Sequence, residues 1–213
     1  GTDWTLAGHV TASHTNVTSG VLNVTGTLTS SSGVTVDSGA KLAGTGTVAA
    51  NVTAQSGATV QAGTAGTPGT LTINGNYVQQ SGATLEIANT TTSASLVSIL
   101  GGSATLGGTL LVDSAAGDYS HTLQFIIMTA TGGLTGTFGA VLDSNADVVP
   151  TLTYDTANDR VILQLAKAAL WTSGDNNVTL SGNITTAQNG SGGADTLNLV
   201  GTTNVTADLT NIG

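Results

Sequence analysis

A short phrase recurs along the first half of this chain: Ser-Gly, a small or polar residue, then an alternating run of Val, Leu and Thr. It stands as Ser19–Val24 (SGVLNV), Ser32–Val36 (SGVTV), Ser38–Leu42 (SGAKL), Ser56–Val60 (SGATV) and Ser81–Leu85 (SGATL). Several copies are spaced by roughly 18 to 25 residues, the period of solenoid repeats that stack on their neighbours. Period-two alternation turns Val, Leu or Ile inward and leaves Thr or Asn outward, as in Val21-Leu22-Asn23-Val24-Thr25, Val34-Thr35-Val36, Val52-Thr53-Ala54 and Thr70-Leu71-Thr72-Ile73. Runs this short cannot bury enough surface alone. Stacked in a parallel coil, they share one continuous apolar core. The glycines of Leu42-Ala43-Gly44-Thr45-Gly46-Thr47-Val48 and the sequence Asn74-Gly75-Asn76 are expected at its tight corners.

Composition supports an all-β chain. Charged residues make up 7% and aromatics 3% of the 213 residues, against about 25% charged in an ordinary domain. The usual helix formers are scarce, and β-branched Val and Thr are abundant. Net charge is −9, with Lys41, Arg160 and Lys167 the permanent cations, which argues against a nucleic-acid partner and an anionic membrane surface. Without cysteine there is neither a disulfide framework nor a thiolate metal site. No apolar run is long enough to cross a bilayer as a helix. Gly1-Thr2-Asp3-Trp4 is neither a signal peptide nor a natural start, so the chain reads as a segment of something longer.

Texture divides the chain into three expected parts. Residues 1–95 carry the repeat. Residues 96–166 have longer strands, most of the aromatics and the densest apolar run, Phe125-Ile126-Ile127-Met128; Thr151–Tyr154 and Arg160–Leu165 are expected to form a hairpin about Asp155–Asp159. A solenoid end exposes unpaired strand edges, so this bulkier segment is expected to cap it. Its core would comprise Leu110, Leu123, Phe125, Ile127, Phe138 and Tyr154. In residues 167–213 the thin pattern returns: Val178–Thr185 echoes Trp4–Thr11, and Thr203–Thr206 echoes Thr15–Thr18, as if a further module begins.

The run from Ser38 to Ile87, SGAKLAGTGTV … VTAQSGATVQAGT … PGTLTINGNYVQQSGATLEI, resembles the passenger-associated repeat of bacterial autotransporter proteins. Gly101–Leu142, GGSATLGGTLLVDSAAGDYSHTLQFIIMTATGGLTGTFGAVL, is similar to the autochaperone-like segment that closes many such passengers. The resemblance implies a right-handed parallel β-helix exported by type V secretion to the outer surface through a C-terminal outer-membrane β-barrel of the same precursor. It implies a non-enzymatic adhesin segment, part stalk and part folding cap, with a host surface protein or glycan, or the same protein on neighbouring cells, as partner. In many members a linker helix and the barrel follow the closing segment. Here more repeat-like sequence follows, as in a multi-module passenger.

Parallel β-helices also include polysaccharide lyases and hydrolases, which need converging carboxylates. This chain has one Glu, Glu86, and one Arg, Arg160. Asp37 and Glu86 are expected as unrelated, solvent-facing strand charges. No G-x-S-x-G elbow occurs, and His9, His14 and His121 lack metal-ligand spacing. Gly190–Leu197 (GSGGADTL) nearly fits one calcium β-roll repeat, but a single copy cannot complete the oxygen shell, so Asp195 is expected in an ordinary Gly-rich corner. The loops Asp143–Asp147 and Asp155–Asp159 are accounted for by Asp/Asn turn bonding. No cofactor is expected. Trp4 and Trp171 each precede a repeat start and are expected to fill or cap a first coil. A homotypic aggregation module is the alternative function, and a carbohydrate-active enzyme a further one.

Overall fold

The computed structural model describes residues 2–168, 177–181 and 196–200. The chain divides into two units, Gly1–Lys167 and Ala168–Gly213. Its described elements are all strands; no helix occurs among them.

In the first unit the strands come in threes. The first coil holds β1 (Trp4–Leu6), β2 (His9–Ala12) and β3 (Thr15–Val17); the second holds β4 (Gly20–Val24), β5 (Thr27–Ser30) and β6 (Val34–Val36). The third comprises β7 (Ala40–Gly44), β8 (Thr47–Ala49) and β9 (Val52–Ala54), and the fourth β10 (Thr59–Ala62), β11 (Thr70–Asn74) and β12 (Tyr77–Gln79). β13 (Thr84–Asn89), β14 (Leu96–Leu100) and β15 (Ala104–Leu106) make the fifth. β16 (Thr109–Ser114), β17 (Leu123–Ala130) and β18 (Leu134–Gly136) make the sixth, followed by β19 (Ala140–Asp143), β20 (Val148–Asp155) and β21 (Arg160–Lys167). Every third strand joins the same sheet: β1-β4-β7-β10-β13-β16-β19 in the first, β2-β5-β8-β11-β14-β17 in the second, and β3-β6-β9-β12-β15-β18 in the third. This sequence-ordered parallel pairing is compatible with a β-helix or solenoid.

The core consists of aliphatic rows, one from each sheet. Leu42, Val60, Leu85 and Leu110 stand in register in the first sheet, all buried. Leu28, Val48, Ile73 and Ile99 do so in the second, and Val34, Val52, Tyr77, Ala104 and Leu134 in the third. Burying each Val, Leu or Ile contributes about 1.5–3 kcal/mol before ordering costs. Tyr77 brings a hydroxyl into this row and donates it to Gln79 Oε1 at 2.9 Å; the Gln79 amide in turn donates to the carbonyls of Ala83 and Thr109. Burial pushes the Tyr77 phenol well above its ordinary range.

The repeated Ser-Gly phrase is a corner. Gly39, Gly57 and Gly82 have φ of 79°, 82° and 88°, a conformation costly for residues with a Cβ. They stack: the Gly39 amide donates to the Gly57 carbonyl and the Gly57 amide to the Gly82 carbonyl, each at 2.9 Å. This corner leads into the first sheet. The Ser32-Gly33 copy uses the same letters at a different corner, between the second and third sheets.

Coil length is set mainly where the chain passes from the first sheet to the second. Thr25 and Gly26 suffice between β4 and β5, whereas residues 63–69, 90–95 and 115–122 fill the same passage in the fourth, fifth and sixth coils. These longer loops stack on one side of the unit. The Gly66 amide reaches Asp113 Oδ2 at 3.0 Å, two coils on.

The second sheet changes character at its far end. β21 pairs antiparallel with β17, and β20 antiparallel with β21, so the expected hairpin is present as Val148–Asp155 and Arg160–Lys167. A bulge between Ile126 and Met128 lets both Ile127 and Met128 face the core, and both are fully buried. In the second unit β22 (Asn177–Ser181) and β23 (Thr196–Val200) pair in parallel, Asn177 opposite Thr196. Trp171 and Asp195 lie outside the described residues.

Candidate functional site

The hairpin end gathers most of the side chains expected to form a cap. Leu110 and Ile127 are fully buried, Phe138 nearly so, and Leu123, Phe125 and Tyr154 pack half-buried against the same core. Phe138 and Tyr154 meet with ring centroids 6.4 Å apart and planes tilted by 39°. The Phe138 amide donates to the Tyr154 hydroxyl at 2.9 Å. Burial raises the Tyr154 phenol above its ordinary range, partly offset by that hydrogen bond. Met128, Val148, Val161, Leu163 and Leu165 complete this buried end; none of them is in the cap core expected from the sequence.

A polar network lies beside it, on the stacked-loop side. Asn89, Ser114 and Asp143 close three successive strands of the first sheet. Ser114 Oγ is 2.9 Å from Asn89 Oδ1 and 2.7 Å from Asp143 Oδ2. The Asn89 amide donates to the Tyr119 hydroxyl at 3.2 Å, which donates to the Ala115 carbonyl at 2.8 Å. Asn89, Ser114 and Tyr119 are buried. Asp113 accepts from Gly66 N and from Ser144 Oγ. Desolvation raises the Asp143 carboxyl above its ordinary range and the Asp113 charge adds to the rise; hydrogen bonds from Ser114 and Asn145 act the other way. Asp118 is shifted down, chiefly by hydrogen bonds from Ser120.

Glu86 departs from the expected solvent-facing charge. Lys41 Nζ donates to Glu86 Oε2 at 2.7 Å and to Gln61 Oε1 at 3.2 Å, and Gln61 Nε2 donates to Glu86 Oε1 at 2.8 Å. The three residues come from β7, β10 and β13; Gln61 stands opposite Glu86, and Lys41, two residues before Gln61's partner Ala43, reaches both diagonally. Asp37 is not among these partners. The arrangement is a cross-coil clasp, with a contribution of about 1 kcal/mol for a partly exposed charged pair.

Of the two roles expected for Trp4, filling the first coil is not what the structure shows. Trp4 is 70% exposed, because β1 has a neighbour on one side only. It lines an open cavity of about 380 Å³ with Thr15, Val17, Val21 and Leu22. His9 and His121 hydrogen-bond to near neighbours, Thr11 and Ser120. Among the described residues no three His, Asp or Glu side chains gather as a metal site. Asp143 and Asp155 organise the expected turns, accepting from Asn145 N and from Asn158. No family model and no curated protein matches this chain.

Proposed function

We propose that this chain is a non-enzymatic, surface-exposed passenger segment of a bacterial autotransporter adhesin. It is built as a right-handed parallel β-helix, with residues 96–166 as its folding cap. The observation that carries the reading is the joint between the sixth coil and the antiparallel hairpin, where β21 takes the place of a further parallel strand beside β17. Each coil adds one strand to every sheet, so a finished coil offers three edges for the next to pair with. The apolar end lowers the cost of the first such pairing. Export proceeds through an outer-membrane barrel of the same precursor, and the partner is a host surface protein or glycan, or the same protein on a neighbouring cell. The test is surface display of the full precursor carrying Phe125→Ala with Ile127→Ala. Reduced display and faster proteolysis are expected; display and resistance equal to wild type overturn the cap role.

A homotypic reading is favoured by one feature, the outward column Thr27, Thr47, Thr72, Ser98 and Thr129 in register across the second sheet. Sedimentation at high concentration together with a cell-aggregation assay decides it: a strictly monomeric, non-aggregating protein excludes this role.

A further inference from the structure

The network at the ends of β13, β16 and β19 has a proton count that does not close while Asp143 is ionised. Ser114 has one hydroxyl hydrogen and two acceptors within reach, Asn89 Oδ1 at 2.9 Å and Asp143 Oδ2 at 2.7 Å. Donation to the carboxylate leaves the Asn89 carbonyl, on a side chain with no exposure, without a donor. Turning the amide over moves the conflict from Ser114 to the single Tyr119 hydroxyl hydrogen. Asn89 Oδ1 would then face the Thr90 carbonyl oxygen and the Tyr119 hydroxyl, whose hydrogen already serves the Ala115 carbonyl.

We infer that Asp143, Ser114, Asn89 and Tyr119 form a proton-operated latch that closes when Asp143 takes up a proton. The Asp143 O–H then donates to Ser114 Oγ, the Ser114 hydroxyl donates to Asn89 Oδ1, the Asn89 amide donates to Tyr119, and Tyr119 donates to the Ala115 carbonyl. Every donor in the chain meets an acceptor. Asp143 Oδ1 keeps the Asn145 amide, at 2.8 Å. The latch spans three coils and the hairpin, because the Tyr119 carbonyl also accepts the Lys167 amide at 2.9 Å.

The charged surroundings act in the same sense. Asp113, beside Asp143 near the end of β16, accepts from Gly66 and Ser144, and its charge opposes a second one on Asp143. Asp118, Asp147 and Lys167 line a small cavity together with Tyr119, and His121 and Lys167 act electrostatically on Asp118. A carboxyl held above its ordinary value contributes stability that is fully present below that value and is lost as pH rises through the folded-state value. Acid therefore tightens this end of the unit.

The test uses the whole chain and two readouts. Carboxyl ¹³C NMR of the wild type should show Asp143 titrating above the ordinary aspartate range, and Asn89→Ala, which removes the competing acceptor, should move that midpoint down. Amide exchange at residues 144–148, corrected for intrinsic rate, should slow about tenfold from about pH 7 to about pH 4 in wild type. Asp143→Asn supplies a permanent donor to Ser114 and should show the slow rate at both values. The latch is overturned if wild-type Asp143 titrates within or below the ordinary range, or if Asp143→Asn exchanges as fast at neutral pH as wild type does.

Discussion

The Tyr154 hydroxyl, on the hairpin, accepts the backbone amide of Phe138, in the segment between β18 and β19. This bond joins an antiparallel element to a parallel one at the place where neither sheet ladder can do so. The Phe138 amide has no ladder partner at this position, and the tyrosine oxygen supplies it.

Tyr154→Phe keeps the ring contact with Phe138 and removes the acceptor. The expected cost is about 1 kcal/mol, the usual net value of one such bond, rising toward about 2 kcal/mol where water cannot reach the freed amide. Chemical denaturation should show the loss, and amide exchange should place it at Phe138. Unchanged exchange at that amide would mean that the hydroxyl contributes nothing to the joint.

Close stacking of the coils makes a different prediction at two glycines that look alike in sequence. A Cβ on Gly46 would overlap the Gly26 carbonyl oxygen of the coil before it, whereas a Cβ on Gly8 meets nothing within 4 Å. Neither has a positive φ, so the contrast isolates space from backbone conformation. Gly46→Ala is expected to destabilise by more than about 2 kcal/mol, because backbone must move against backbone. Gly8→Ala should be neutral or stabilise by up to about 1 kcal/mol through the unfolded chain. Equal effects in a thermal unfolding series would contradict the inter-coil spacing.

Much of this architecture is legible in the residues because two local rules agree. Alternation selects the inward rows, and Ser-Gly marks corners where φ must be positive, as at Gly39, Gly57 and Gly82. The bulge at Ile127 is not legible, since Phe125-Ile126-Ile127-Met128 is apolar throughout and carries no alternation to break. The Lys41–Gln61–Glu86 clasp is hidden for another reason. Gln61 faces Glu86 only once the loop of residues 63–69 is known to leave the sheet, and Lys41, opposite Thr59, reaches the pair diagonally, which no spacing rule announces. The Asn89–Ser114–Asp143 network shares this origin: three polar strand ends have no local signature, and coil length alone brings them together. Trp4 shows the converse, an apolar residue at an inward position that stays exposed because β1 has no strand on its other side.

The hairpin turn carries the opposite pH dependence from the latch. Asp155 accepts from Asn158 Nδ2, from the Asn158 amide and from Arg160 Nε, and these bonds, the Asn158 side chain first, hold its carboxyl below the ordinary range. A carboxyl lowered on folding contributes stability that is present above the unfolded-state value and is lost as pH falls through the folded-state value. Acid should therefore loosen the Asp155–Arg160 turn while it tightens the Asp143 corner. Asp155→Asn removes the charge that Arg160 meets and should abolish the acid-dependent part of exchange at residues 156–159, leaving residues 144–148 as in wild type. Loss of pH dependence at both places in this one variant would mean that a single group governs the whole end of the unit.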